Sequence, residues 1–236
     1  MGTASVIKLF VVHGWTYDLG KWTEQCAALH ERGIEAVLLK VPGLTAPSDQ
    51  VWTIDGYVQW LHEQLANEKS PIVLGHSNGG RIALKYLAKY PSGFRRLILL
   101  DSAGVPVQSA VKKLKLKFVL VVSKVASPLK AIKPLKKVVY KLLKAQDYDN
   151  APEHMKRTMS NMLAADKTID FASIAVPVDI IWGSNDTVTP LWMGRYIQSH
   201  IAGATLQIVD GARHAPQATH VEQVADMLAK IVKAEN

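Results

Sequence analysis

Three residues scattered along this 236-residue chain could do chemistry together: Ser77, Asp186 and His214. Ser77 is the centre of Gly-His-Ser-Asn-Gly (75–79), which follows the apolar run at 71–74 and leads at once into a helical pattern. On a tight strand-to-helix turn a serine backbone is strained, and the hydroxyl is held above the sheet edge. Only small neighbours fit there, and Gly75, Gly79 and Gly80 leave that room. The helix that follows aims its amino end and free N–H groups at the same place. A serine hydroxyl is a poor nucleophile at neutral pH, so a base must take its proton.

Of the eight histidines, His214 stands in Val-Asp-Gly-Ala-Arg-His, just after the last apolar run. That position puts it on a loop at the carboxyl edge of a sheet. His30, His62, His154, His200 and His220 fall on expected helices or their ends, where solvated or packing roles suffice. His76 flanks the nucleophile, with its side chain expected to turn away. The base needs an acid to fix its tautomer and stabilise the imidazolium. Asp186, in Gly-Ser-Asn-Asp after the run ending at Trp182, fits that task. Asp101, directly after Leu-Ile-Leu-Leu, competes for it; Asp210 is too near His214 along one loop. The plain alternatives are a serine in an ordinary turn and an exposed loop histidine.

Attack on a carbonyl would also build negative charge on its oxygen, which two backbone N–H groups should meet. Asn78, after the nucleophile, supplies one. His13-Gly14-Trp15 ends the first apolar run and offers the second through the Trp15 N–H, with Gly14 leaving the backbone bare. Losing one such donor raises the barrier by ~3 kcal/mol, roughly a hundredfold or more in rate.

The elements that must position these residues alternate along the chain. Apolar runs at 5–12, 35–41, 71–77, 94–104, 176–186 and 204–214 read as six strands. Helical patterns at 22–32, 53–69, 79–90, 191–201 and 220–234 lie between or after them. Strands that are almost wholly apolar imply a mainly parallel sheet covered on both faces. Sites in such sheets form beyond the carboxyl ends of strands, which is where the candidate residues stand. Residues 105–165 interrupt the alternation. Val125, Leu129, Ile132, Leu135, Val139, Leu142 and Leu143 recur near helical spacing, and Pro128 and Pro134 divide them into short helices. The expected organisation is a core of 1–104 and 166–236 with a lysine-rich helical cap at 105–165.

His13-Gly14-Trp15, Gly75–Gly80, Gly183–Asp186 and Gly211–His214 together resemble the α/β-hydrolase superfamily in order, spacing and setting. The resemblance spans nearly the whole chain. It implies an α/β-hydrolase fold with Ser77 as nucleophile, Asp186 as acid, His214 as base, and the Trp15 and Asn78 amides as oxyanion hole. His13, Gly14, Gly75, His76 and Gly79 would support the two turns. It also implies a cap inserted after the strand ending near Asp101. The family usually opens with a strand hairpin before the His-Gly strand; few residues precede Ser5, so a reduced sheet is expected.

A serine nucleophile points away from relatives that use a carboxylate and toward acyl transfer to water. Esters or thioesters are the expected substrates, with no cofactor and no metal; no His-Glu-x-x-His cluster is present. Cleavage of a C–C bond, a lactone or a peptide would use the same residues. So would no chemistry at all, if this were a non-catalytic relative serving as a binding module. Apolar cap positions such as Leu114, Leu116, Phe118, Val119 and Leu120 would line a pocket for an acyl chain.

Charge is concentrated in the cap. Residues 105–146 hold eleven lysines and no acid, which leaves 17 basic against 20 acidic residues elsewhere and accounts for the net +8. No nucleic-acid recognition motif accompanies it. The lysines read first as a solvated face whose stems cover apolar surface. The sharper reading is weak contact with an anionic membrane surface, or attraction of acidic substrates. No stretch is long and apolar enough to span a membrane, and no secretory signal is recognised. A single cysteine, Cys26, fits a reducing cytoplasm and a small core position; nothing in the sequence demands more than a monomer.

Overall fold

The computed structural model of the chain describes residues 6–106 and 151–234. Among them six strands form one sheet: β1 (Ile7–Val12), β2 (Ile34–Leu38), β3 (Ile72–His76), β4 (Arg96–Leu100), β5 (Val178–Gly183) and β6 (Thr205–Val209). The helices are α1 (Thr23–Glu31), α2 (Ile54–Gln64), α3 (Asn78–Lys89), α4 (Glu153–Ala165), α5 (Trp192–His200), α6 (Pro216–Thr219) and α7 (Val221–Lys233). Every strand pair is parallel, and the spatial order is β2-β1-β3-β4-β5-β6.

Alternate residues of each strand feed two separate cores. Phe10 and Val12, Val73, Leu97 and Leu99, and Ile180 and Trp182 join one apolar cluster. Their neighbours Leu9 and Val11, Ile72 and Leu74, Ile98 and Leu100, and Ile181 join the other. A strand buried on both faces has no polar position, which is why these runs are continuously apolar in sequence. Helices α2, α3, α4 and α5 pack on the first face, and α1 and α7 on the second. Thr53 caps α2 by accepting the Gly56 N–H at 3.1 Å, a contact of about 1 kcal/mol.

This topology creates the site. The chain passes from β1 to the edge strand β2, then returns across β1 to lay down β3 on its other side. Strand order therefore reverses between β1 and β3, and a crevice opens beyond their carboxyl ends. Val12 pairs with Gly75 in register, so the loop after β1 and the turn after β3 leave the sheet side by side.

Some boundaries differ from expectation. The helix expected over 53–69 stops at Gln64, and the one expected from Trp22 begins as a 3-10 turn at Gly20–Trp22. The short α6 was not anticipated; it starts on Pro216, whose fixed φ suits a first helical position. Of the expected cap, residues 107–150, which carry all eleven lysines, lie outside the described residues. Residues 151–234 belong to the same compact unit as the strands before them. In α4, Met155 and Met162 are fully buried, and Thr158 Oγ1 accepts the Trp52 N–H at 2.9 Å.

Candidate active site

Ser77 joins β3 to α3 with φ +51° and ψ −119°. For a residue with a Cβ, such backbone strain is on the order of 1–3 kcal/mol and persists only where the surroundings impose it. Its N–H donates to the Leu100 carbonyl at 3.1 Å, and its carbonyl accepts the N–H of Ala103 at 2.8 Å. Close approach fixes the glycines around it. A Cβ on Gly75 would lie 2.5 Å from Gly80 Cα, and one on Gly79 would lie 1.9 Å from the Val12 carbonyl oxygen. The turn closes only without those atoms.

His214 comes from the loop after β6. Its Nε2 is 2.8 Å from Ser77 Oγ, and its Nδ1 is 2.8 Å from Asp186 Oδ2. A carboxylate can only accept, so the hydrogen sits on Nδ1 and Nε2 presents its lone pair to the serine hydroxyl. Asp186 Oδ1 also accepts the N–H groups of Val188 and Thr189, at 2.7 and 3.0 Å. Its Oδ2 takes the Thr189 hydroxyl at 2.7 Å. Burial alone would raise this carboxyl's pKa. The bonds and charge of His214, with the Thr189 and Val188 donors, outweigh that and hold it below the usual carboxylate range.

Asp101, the competing acid, follows β4 at φ +42° and is fully buried. Its Oδ1 accepts the Gly183 N–H at 2.8 Å, while Oδ2 has no partner. Burial, then the negative charge of Asp186, push its pKa up to about 8, against the pull of the Gly183 bond. It is therefore largely a neutral acid at pH 7. Asp101, Asp186 and His214 each bring one potential metal-ligand atom within 4.8 Å of the others. The Asp186 and His214 atoms are already engaged with each other.

A Cβ on Gly14 would sit 2.9 Å from Ser77 Cβ, so the loop after β1 runs against that serine. Asn78 opens α3, and its N–H is one of those with no intrahelical acceptor. The Asn78 side-chain oxygen accepts from Arg81 Nη1, and buried Arg81 forms a two-bond pair with Asp166, at 2.5 and 3.2 Å. His13 is buried with Nδ1 on the Gly14 carbonyl at 2.7 Å.

His76 Nε2 donates to the His214 backbone carbonyl at 2.9 Å, and the edge of Trp22 meets its ring. Burial and the neighbouring His214 charge lower its pKa to about 3. It is thus a neutral strut beneath the loop that carries His214. That contact, the Thr189 hydroxyl and the Arg81–Asp166 pair were not anticipated from sequence. The one available signal is an aspartate in a loop, since an Asx turn bonds its side chain to the backbone N–H two residues on, here that of Val188. No helix among the described residues is long and apolar enough to cross a membrane.

Fold and site together define a class, and the chain belongs to the α/β-hydrolase fold family, whose profile matches residues 9–221. Its relatives include the pimeloyl-[acyl-carrier protein] methyl ester esterase of Neisseria meningitidis serogroup C, 26% identical over 97% of this chain and 94% of that protein. The esterase of the same name from Nitrosomonas europaea is 23% identical, over 91% of each chain. Among solved structures, an α/β-hydrolase enzyme from the sediment metagenome of the Mar Chica lagoon, Morocco, superposes with a TM-score of 0.72 at 20% identity, covering 97% of this chain and 91% of that one. The esterase of Exiguobacterium antarcticum gives 0.68 at 20% identity, covering 98% and 93%.

Proposed function

We propose that this α/β hydrolase cleaves carboxylic esters, or the closely related thioesters, through an acyl-enzyme on Ser77. The observation that carries the reading is the continuous run from Ser77 Oγ through His214 to Asp186, with both links at 2.8 Å. Ser77 Oγ attacks the substrate carbonyl carbon as its proton passes to His214 Nε2. The oxygen that becomes negative is met by the N–H groups of Trp15 and Asn78. Collapse expels the alcohol or thiol, which takes the proton from Nε2 and leaves the acyl group on Oγ. Water then repeats the cycle with His214 first as base and then as acid, releasing the carboxylic acid. Asp186, low in pKa and bonded to Nδ1, keeps Nε2 free in the resting state and stabilises the imidazolium.

The Neisseria and Nitrosomonas relatives are named for methyl esters of a carrier-bound acyl chain, which favours an acyl ester over a C–C bond, lactone or peptide. The eleven lysines of 105–146 suit an acidic carrier or an anionic surface. Contact with a surface predicts that anionic vesicles raise activity and that salt removes the gain; equal activity with and without vesicles counts against it. The unpaired Cys26 suits a cytoplasmic enzyme. The decisive experiment is labelling with a fluorophosphonate, which should mark wild-type protein and leave Ser77→Ala untouched. Turnover of p-nitrophenyl esters should fall at least ~10³-fold in the same variant. A binding module without catalysis would show no labelling in either protein.

A further inference from the structure

We infer that Thr45, in the loop after β2, is a positioning residue of the oxyanion site, acting through His13 on the peptide that presents the Trp15 N–H. The inference rests on the proposed role of Ser77 and adds a residue to it. Four groups form a chain in which every donor and acceptor is used once. The Val41 N–H donates to Thr45 Oγ1 at 2.9 Å. Thr45 Oγ1 and His13 Nε2 are 2.7 Å apart, and His13 Nδ1 lies 2.7 Å from the Gly14 carbonyl oxygen. The two ends fix the direction, because an amide N–H can only donate and a carbonyl can only accept. His13 Nδ1 therefore carries the hydrogen, and Nε2 accepts the Thr45 hydroxyl. The ring is only 1% exposed, and burial lowers its pKa despite the Gly14 bond, so it stays neutral as this direction requires.

The consequence lies in peptide geometry. The Gly14 carbonyl and the Trp15 N–H belong to one planar trans unit, so they point in opposite directions. Holding the carbonyl on His13 turns the N–H the other way. That N–H donates to no group among the described residues, and the Gly14 backbone abuts Ser77. Without the Thr45 hydroxyl, the buried Nε2 lone pair is left unpaired and only the Gly14 carbonyl still favours the hydrogen on Nδ1. The other tautomer would set a lone pair against the Gly14 carbonyl and release the peptide. Apart from the Val41 N–H bond to its hydroxyl, the turn is held by backbone groups alone. The Val41 carbonyl already accepts the N–H groups of Leu44, Thr45 and Ala46 at 3.0 to 3.1 Å, and Gly43 N–H reaches the Ala46 carbonyl at 2.8 Å.

The test compares wild type, Thr45→Val, Thr45→Ala and Thr45→Ser as full chains. It measures p-nitrophenyl ester kinetics and inhibition by an aryl trifluoromethyl ketone, which adds to the serine and creates an oxyanion. Thr45→Val should lower kcat about 10- to 100-fold, the range set by loss of part or all of one oxyanion donor, with KM within about twofold. The ketone Ki should rise by the same factor as kcat/KM falls, and Thr45→Ser should recover most of both. Should Thr45→Val fail to fold, Thr45→Ala against Thr45→Ser carries the same comparison. Unchanged kcat and Ki, a loss confined to KM, or no recovery in the serine variant would overturn the inference. Fluorophosphonate labelling separates the two levels: wild type unlabelled means that the Ser77 reading fails, whereas labelled wild type with an indifferent Thr45→Val removes only Thr45.

Discussion

Asp101 and Asp186 sit at the carboxyl ends of neighbouring strands, β4 and β5, both almost wholly buried, and they differ in what faces them. Asp186 has four donors: two backbone N–H groups, the Thr189 hydroxyl and the His214 ring. Asp101 has the Gly183 N–H alone, with one oxygen unpartnered. Two carboxylates this close cannot both ionise without mutual repulsion, so the negative charge goes to the one with donors. The contrast shows how two similar residues at similar places acquire opposite charge states. Burial is common to both; hydrogen bonds decide.

The largest expected effect comes from neutralising each acid in turn. Asp186→Asn leaves an amide that can donate to Nδ1 and hold the wrong tautomer, so kcat should fall about 10³- to 10⁴-fold. Asp101→Asn keeps an oxygen for the Gly183 N–H and removes no charge at pH 7, so kcat should change by only a few-fold. Steady-state kinetics on one p-nitrophenyl ester decides between the two. Comparable losses in both variants would mean that the acid function is shared and that the contrast drawn from donors is false.

A smaller effect should follow from removing one donor of the favoured acid. Thr189 Oγ1 lies 2.7 Å from Asp186 Oδ2, 3.1 Å from His214 Nδ1 and 3.0 Å from the Asp101 carbonyl. Thr189→Val keeps the side-chain shape and the backbone N–H to Asp186 Oδ1 but deletes the hydroxyl. A charge-assisted hydrogen bond is worth about 1.5–3 kcal/mol, and three other donors remain, so a roughly tenfold drop in kcat is expected. The acidic limb of the pH–rate profile should also move upward, because the Asp186 carboxylate has lost one of the contacts that depress its pKa. Unaltered kcat and profile would show that the two backbone N–H groups and His214 alone suffice.

How much of this was legible in the chain follows from which forces act locally. The four central strands are visible because each is buried on both faces over most of its length, as in Val-Leu at 73–74 and Leu-Ile-Leu-Leu at 97–100, and a continuous apolar run needs no tertiary information to recognise; the edge strands β2 and β6 are only partly buried. Ser77, Asp186 and His214 could be picked out because all three follow such runs, and the structure brings their polar atoms within hydrogen-bonding distance. The choice between Asp101 and Asp186 was harder, since both follow apolar runs; it depends on the path of the loop through Val188 and Thr189. The Arg81–Asp166 pair joins residues 85 positions apart, across the insertion. Nothing near Arg81 in sequence announces its partner. Thr45 was equally silent, because its role arises only where the loop after β2 folds back on His13.

The finest test of the two acids uses stability rather than rate. In the unfolded chain Asp101 titrates near its ordinary value, about 3.9; in the folded protein it titrates at about 8. Between these values the folded state holds a proton that the unfolded state has released. Stability should therefore fall as pH rises from about 4 to about 8, and this contribution should be flat outside that window. Asp101→Asn cannot ionise, so its melting temperature should gain on that of wild type as pH rises, by several degrees between pH 5 and pH 8. The constant penalty for burying an amide beside an unpartnered position cancels in the difference between the two pH values. Asp186→Asn should behave oppositely: its wild-type carboxyl has a depressed pKa, so the folded state is favoured once the group is ionised, and the variant loses ground to wild type as pH rises through the acid range. Thermal melts of the three proteins at pH 3, 5 and 8 would read both slopes, and parallel curves for wild type and Asp101→Asn would show that Asp101 is ionised in the folded protein after all.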